Sequence, residues 1–170
     1  YDSNLGIEFD DIETPNAIKK CLIAFEKYPE NMQVKRALGR AYSKAEEYDK
    51  AFAIFTELKN EGDASGTFSL AFSYDLGEGV EQSFSKAVEL YNKAAKRGYS
   101  PAYYSLGYAY YHGEGVEQNY KKALKWHKLS ADSGDVDGQY MLGFMYEFGE
   151  GVEKNLEKAF NWYRLAAEQG

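Results

Sequence analysis

The amino-acid sequence predicts an all-α fold, a superhelix (solenoid) in which antiparallel helix pairs stack in series. Two observations predict it. A stretch of eleven residues recurs as LAFSYDLGEGV at 70–80, LGYAYYHGEGV at 106–116 and LGFMYEFGEGV at 142–152, and apolar residues at helical spacing surround each copy. Repetition at a period of about 20 to 50 residues is typical of arrays in which no unit buries its apolar face alone.

Composition and charge exclude several classes of protein. With 44% hydrophobic and 28% charged residues, the 170-residue chain has the profile of a globular domain. Its formal net charge is -7, but residues 1–13 hold five of the acidic side chains and no lysine or arginine. The remainder is therefore nearly neutral, which argues against nucleic-acid binding, because that needs a basic stripe. No apolar run approaches the roughly 18 residues of a membrane span.

The chain begins with residues 1–13, an acidic lead-in without helical periodicity. We interpret it as a mobile segment or as the remnant of an earlier repeat. Thr14 is a candidate N-cap, with Pro15 at the first helical position and Pro29 ending the helix. Cys21, the only cysteine, lies on the apolar stripe of this helix and is expected to be a small core residue. One cysteine permits no intramolecular disulfide and leaves the redox compartment open.

A helix pair follows from Met32, with only a short link between its two apolar patterns. Its small and bulky positions keep a spacing that resembles a tetratricopeptide repeat: Leu38, Gly39, Tyr42, Ala51 and Phe55. Residues 14–61 are therefore predicted to form tetratricopeptide-like helices.

From Gly62 onward the loop inside each helix pair gains four residues, and the GEGV element occupies it. Its paired glycines are Gly77 and Gly79, Gly113 and Gly115, and Gly149 and Gly151. Glycine at these positions permits positive φ at a helix end and a close passage of backbone. The element therefore predicts a helix terminator followed by a tight turn.

Capping signals and small residues predict the remaining helix boundaries. The candidate N-caps of the second helices are Ser83, Asn119 and Asn155, and the alanines that let helices approach closely are Ala87, Ala123 and Ala159. Each unit closes on a glycine, at Gly98, Gly134 and Gly170, and the candidate caps of the first helices are Asp63, Ser100 before Pro101, and Asp135.

The whole pattern, LGxxY, GxGV, Asn or Ser before KA, then WY, AA and a closing glycine, resembles the Sel-one-like repeat. The resemblance covers three copies, 62–97, 98–133 and 134–170, and implies a right-handed α-α superhelix continuous with residues 14–61. Three residues differ from the usual repeat pattern but conserve its size or packing class: Ala71, Leu90 and Ser130. Some members of the family have a cysteine pair in each repeat, and this chain lacks those pairs.

No motif indicates catalysis, a cofactor or a metal. GEGVEQ follows a helix rather than a strand and lacks the third glycine of a phosphate loop. His127 takes the place of tyrosine in the other repeats and is expected to pack, and His112 stands in no metal or catalytic motif. The loop carboxylates Glu78, Glu114 and Glu150 recur along one edge, so a structural or solubility role is expected. We predict that the chain is not an enzyme.

The resemblance implies that the first helix of each pair lines a concave groove. Counting along these helices predicts the partner-binding residues Arg36, Arg40, Lys44, Phe72, Tyr108, Tyr111, Phe144 and Phe148. The groove is therefore expected to be basic at its start, where it holds an acidic part of a partner, and aromatic further on. Aromatic residues two positions before the repeated leucine, Phe68, Tyr104 and Tyr140, are expected to be half-buried supports.

Three hypotheses for function remain open. The first is a non-catalytic protein-protein interaction scaffold or adaptor that binds a peptide or protein segment in the groove. The second is a regulatory or assembly arm of a larger enzyme or of a secretion or envelope machine. An uncovered apolar end after the last repeat favours this arm or end-to-end self-association. The third is carbohydrate or small-ligand binding by the aromatic groove. Arrays of this kind are abundant in bacteria and include exported proteins, which slightly favours a periplasmic or secreted location over the cytoplasm.

Overall fold

The structure, a computed structural model, describes residues 15–169, and every regular element in that range is an α-helix. The chain divides into two compact units, Tyr1–Ser83 and Phe84–Gly170. The acidic lead-in at 1–13, the predicted N-cap Thr14 and the closing Gly170 lie outside the described residues.

The first unit contains four helices joined by short links. They are α1 (Pro15–Lys27), α2 (Met32–Lys44), α3 (Tyr48–Asn60) and α4 (Ala64–Leu76), and each packs on the next. The helix α1 begins at Pro15, as predicted, and ends two residues before Pro29. The side chain of Asn31 caps α2 by accepting hydrogen bonds from the backbone N–H groups of Gln33 and Val34.

The second unit contains five helices, and consecutive helices again pack on one another. They are α5 (Phe84–Lys96), α6 (Pro101–His112), α7 (Tyr120–Asp132), α8 (Val136–Phe148) and α9 (Leu156–Ala167). Gly98 and Gly134 follow α5 and α7 with positive φ, as predicted for glycines that close a helix.

Most of the predicted caps are confirmed. The carboxylates of Asp63 and Asp135 and the amide oxygens of Asn119 and Asn155 each accept a hydrogen bond from a backbone N–H in the first turn of the following helix. Ser100 lies at the predicted N-cap position, but its side chain makes no capping hydrogen bond. Its backbone already has helical dihedral angles, and the N–H groups of Ala102 and Tyr103 donate instead to the backbone carbonyls of Tyr99 and Ser100.

The two glycines of each GEGV loop have different structural roles. Gly77, Gly113 and Gly149 are left-handed C-caps of the first helices. The second glycine brings the loop against the start of the second helix of the preceding repeat. A Cβ atom at Gly79 would lie 2.5 Å from the carbonyl oxygen of Tyr48, and one at Gly115 would lie even closer to the carbonyl group of Phe84. The loop is therefore the backbone contact between successive repeats.

The core is built from the small and branched residues that recur in each repeat. The repeated leucines and alanines are all at most 4% exposed: Leu38, Leu70, Leu106, Leu142, Ala51, Ala87, Ala123 and Ala159. Burial of such residues against a neighbouring helix supplies most of the stability of an amphipathic helix. Within residues 15–169, no helix combines the length and apolar character that a membrane crossing requires.

Replacing Gly115 with alanine is expected to destabilise the protein more than replacing Gly134. Both glycines have positive φ (69° and 88°), so either alanine costs about 1–2 kcal/mol in backbone conformation. Only at Gly115 does the added methyl group also meet backbone atoms, because nothing lies within 4 Å of it at Gly134. Urea unfolding should therefore place the midpoint of Gly115→Ala clearly below that of Gly134→Ala. Equal midpoints would contradict the packing of the loop on α5.

Candidate functional site

In the first unit, three of the predicted partner-binding residues line one cavity of about 230 Å³. They are Arg40 and Lys44 on α2 and Phe72 on α4. The remaining lining residues are Ser43, Phe55, Phe68, Ser69, Ser73 and Glu78. Phe55, a buried residue of the tetratricopeptide-like spacing on α3, is one of the lining residues. The cavity thus combines two cationic side chains and the carboxylate of Glu78 with aromatic and hydroxyl groups.

Arg36, the fourth residue predicted in this unit, does not line the cavity. Its guanidinium donates hydrogen bonds from Nε to both carboxylate oxygens of Asp63, at 3.1 and 3.0 Å, and from Nη2 to Oδ2. The adjacent Lys35 is buried and forms an ion pair with Glu61, which raises the pKa of the lysine. Two consecutive cations of α2 therefore bind the turn between α3 and α4, so Arg36 has a structural partner within the chain.

Cys21 is buried, which confirms the predicted core position. Burial raises the pKa of its thiol, because the thiolate is disfavoured away from water. The positive charge of Arg40 acts in the opposite direction. The net effect remains an increase, and the thiol is correspondingly unreactive.

In the second unit, aromatic rings of α6 and α8 form one contiguous row. We name it the α6–α8 aromatic surface, and it consists of Tyr104, Tyr108, Tyr111, His112, Phe144 and Phe148. The distances between successive ring centroids are 6.4 Å (Tyr104 to Tyr108), 4.2 Å (Tyr108 to His112), 4.9 Å (His112 to Tyr111), 6.4 Å (Tyr111 to Phe144) and 4.6 Å (Phe144 to Phe148). The four residues predicted in this unit are therefore brought together, with His112 linking two of them.

The members of this surface differ in exposure. Tyr108 is 40% exposed and Phe148 is 57% exposed, whereas Tyr111 and Phe144 are half-buried. The hydroxyl of Tyr111 donates a 2.6 Å hydrogen bond to Oε2 of Glu150. Burial and the negative charge of Glu150 raise the pKa of this tyrosine well above its usual range. Tyr111 and Phe144 thus form a fixed platform beside two exposed rings.

The three aromatic residues that were expected to be half-buried supports differ in exposure. Phe68 and Tyr104 are half-buried, as predicted. Tyr140 is 54% exposed, so its predicted burial was wrong. Its ring centroid lies 5.3 Å from that of Tyr163 on α9.

His127 packs in the core, which confirms its predicted role. It is fully buried, and its ring fills the space over Gly107, where a Cβ would lie 2.5 Å from Cε1. Neither ring nitrogen has a hydrogen-bond partner among the described residues. Burial lowers the pKa of His127 to about 4, opposed by Asp135 and assisted by His112.

Two of the three loop carboxylates bind tyrosines of the preceding repeat. Glu150 accepts from Tyr111, and Glu78 accepts a hydrogen bond from Tyr48, whose pKa is raised by burial and by that carboxylate. A structural role for both is consistent with these bonds. Within the part of the chain that the structure describes, no three histidine, cysteine or acidic side chains converge as metal ligands would.

Comparison with known proteins identifies the repeats. The Sel1 repeat family model matches residues 64–99, 100–135 and 136–170, each starting two residues after a predicted repeat boundary. These matches cover more than half of the chain. No curated protein matches it.

Solved structures of repeat proteins resemble the chain closely. A protective antigen of uropathogenic Escherichia coli that displays an SLR fold is 32% identical, with a TM-score of 0.80 over 90% of this chain and 33% of that one. A Sel1 repeat protein from Oxalobacter formigenes is 29% identical, with a TM-score of 0.78 over 89% of this chain and 64% of that one. The chain thus spans less than two thirds of either relative. The predicted all-α superhelical repeat fold is confirmed.

A more distant likeness extends to Helicobacter pylori cysteine rich protein B. It is 23% identical, with a TM-score of 0.57 over 75% of this chain and 90% of that one. At this identity the likeness concerns the fold alone.

Replacing Arg36 with methionine is expected to lower the free energy of unfolding by about 1–3 kcal/mol, because the buried carboxylate of Asp63 loses its charged hydrogen bonds. The exposed Arg40 serves as the control, and Arg40→Met is expected to change stability by less than about 0.5 kcal/mol. Denaturant unfolding of both variants measures the difference. If Arg36 serves mainly to contact a partner, the two variants will be equally stable.

His127 is expected to make the protein less stable in acid. The unfolded histidine binds a proton below pH 6.5, whereas the folded one stays neutral until about pH 4. The contribution of His127 to the free energy of unfolding is therefore complete above pH 6.5. It decreases by roughly 3 kcal/mol as the pH falls to 4. His127→Tyr, which restores the residue of the neighbouring repeats, should reduce this acid-side loss in thermal unfolding between those pH values. If the wild-type protein and His127→Tyr lose stability equally between these pH values, His127 is not the cause of the loss.

Proposed function

Because the chain belongs to the Sel1 repeat family, we propose that it is a non-catalytic scaffold or adaptor that binds a peptide or protein segment on its first helices. Repeats of this family typically mediate protein interactions, and stacked helix pairs offer extended surfaces to a partner.

The main support for this proposal is the α6–α8 aromatic surface. Tyr108 and Phe148 present rings to solvent, while His112 packs on the ring of Tyr108 and Phe144 packs on that of Phe148. Aromatic residues supply large contact areas with few rotatable bonds, and they dominate the residues that carry binding energy in interfaces. An extended or helical segment that crosses α6 and α8 would cover these exposed rings.

The cavity of the first unit supports the same proposal at a second place. Phe68 and Phe72 offer an apolar lining of the size that receives one large side chain. Arg40 and Lys44 line the same cavity and would attract a carboxylate next to that side chain. We propose that the first unit holds an acidic part of the bound segment there.

Replacing Tyr108 or Phe148 with alanine is expected to weaken binding of a native partner by more than about 1 kcal/mol each, as for residues at the centre of an interface. Phe160 on α9, a second helix, is the matched control because its ring is 66% exposed. Site-specific photo-cross-linking at Tyr108 in cells should first identify the partner and the segment that it presents. Titration of that segment into each folded variant then measures the affinity. Unchanged affinity in the Tyr108 and Phe148 variants, or cross-links formed only at Phe160, would contradict the proposal.

A further inference from the structure

Basic residues are unevenly distributed over the helices of the second unit. The helices α5, α7 and α9, or the residues just outside them, hold all of its lysines and arginines. The first helices α6 and α8 hold none, and α8 contributes the carboxylates of Asp137 and Glu147. The carboxylate of Glu147 accepts a 2.8 Å hydrogen bond from the hydroxyl of Tyr163 on α9. Glu150 follows directly in the loop after α8. The helices that carry the exposed rings therefore hold acidic residues but no lysine or arginine.

The opposite side of the same first helices shows how rings in this fold meet cations. The tyrosine of the LGxxY pattern lies under a lysine of the following helix. Nζ of Lys122 is 5.0 Å from the ring centroid of Tyr110, and Nζ of Lys158 is 5.2 Å from that of Tyr146. These are cation–π distances. The arrangement recurs because the lysine immediately precedes the repeated alanine.

The rings of the α6–α8 aromatic surface have no such neighbour. Among the described residues, no lysine or arginine lies over the rings of Tyr108, Phe144 or Phe148. Each of these rings has a negatively polarised face, and Tyr108 and Phe148 expose theirs to water. Glu150 lies at the centre of the surface, where it accepts from Tyr111. An ionised carboxylate has room for further donors beyond this one.

We propose that the α6–α8 aromatic surface binds a peptide segment that carries arginine or lysine side chains. This deepens the proposed function, on which it rests, by naming the chemistry of the segment. The cationic side chains lie over the exposed rings of Tyr108 and Phe148, and the carboxylates of α8 and of its following loop complement their charge. Arginine fits best, because its planar guanidinium stacks on aromatic faces and donates to carboxylates at the same time.

Three short peptides of equal length test the chemistry. One carries arginine at several positions, the second carries citrulline, the neutral isostere, at the same positions, and the third carries glutamate. Each is titrated into the intact chain by calorimetry, and NMR shifts of the aromatic side chains locate the site. The arginine peptide is expected to bind about tenfold or more tightly than the citrulline peptide, and to weaken as salt is added. The glutamate peptide is expected not to bind at these rings.

Phe148→Leu and Tyr108→Leu keep an apolar side chain but remove the ring face. Each is expected to weaken the arginine peptide about fivefold and to leave the citrulline peptide unchanged, the size expected for one exposed cation–π contact. Phe160→Leu, on a helix that carries its own lysine and arginine, is the matched control and should change neither affinity. Thermal unfolding of each variant verifies that it is folded.

Several results would overturn the proposal. Equal affinity for the arginine and citrulline peptides, or unchanged arginine affinity in both leucine variants, shows that charge and ring face do not determine recognition. Tighter binding of the glutamate peptide at these rings shows that the surface prefers anionic side chains, the opposite of the proposal. All three results leave peptide binding on the first helices intact. The proposed function fails on its own test, when the alanine variants of Tyr108 and Phe148 keep their affinity for the native partner or cross-links form only at Phe160.

Discussion

Successive repeats depend on one contact, the passage of a glycine backbone over the start of a helix in the preceding repeat. Gly79 lies against Tyr48, Gly115 against Phe84 and Gly151 against Tyr120. Because backbone meets backbone, the spacing between repeats does not depend on the size of a side chain. The repeated leucines and alanines can then occupy equivalent buried positions in every repeat. A side chain at the second glycine would force the helices apart and uncover these residues.

This stacking gives each first helix two chemically different sides. Leu106 and Ala109 are buried, and Tyr110 lies toward the second helix, where Lys122 covers its ring. Tyr108 points away from that core and stays 40% exposed. The core needs only the buried side to be apolar. The aromatic character of the other side is therefore not required by stacking, whereas the proposed peptide binding accounts for it.

The sequence predicted those parts of the structure that the repeat itself determines. The period of 36 residues, the glycine pairs and the caps specify local backbone geometry, so helix bounds and loops followed from them. The partners of single side chains did not follow. Arg36 binds Asp63, which lies 27 positions away in the turn before α4. The apolar pattern of the helices does not predict that pair. The exposure of Tyr140 was likewise missed, because the position it shares with Tyr104 predicts packing but not what covers it.

The same loop that spaces the repeats also holds the centre of the α6–α8 aromatic surface. Glu150 stands between the two glycines of its loop and accepts from the hydroxyl of Tyr111, whose ring contacts Phe144. Phe144 in turn lies against Phe148 at 4.6 Å. These ring contacts order the exposed rings, and for the proposed peptide binding this order limits the conformational entropy that binding must remove. A displacement of this loop would therefore disturb the stacking of the last two repeats and the α6–α8 aromatic surface together.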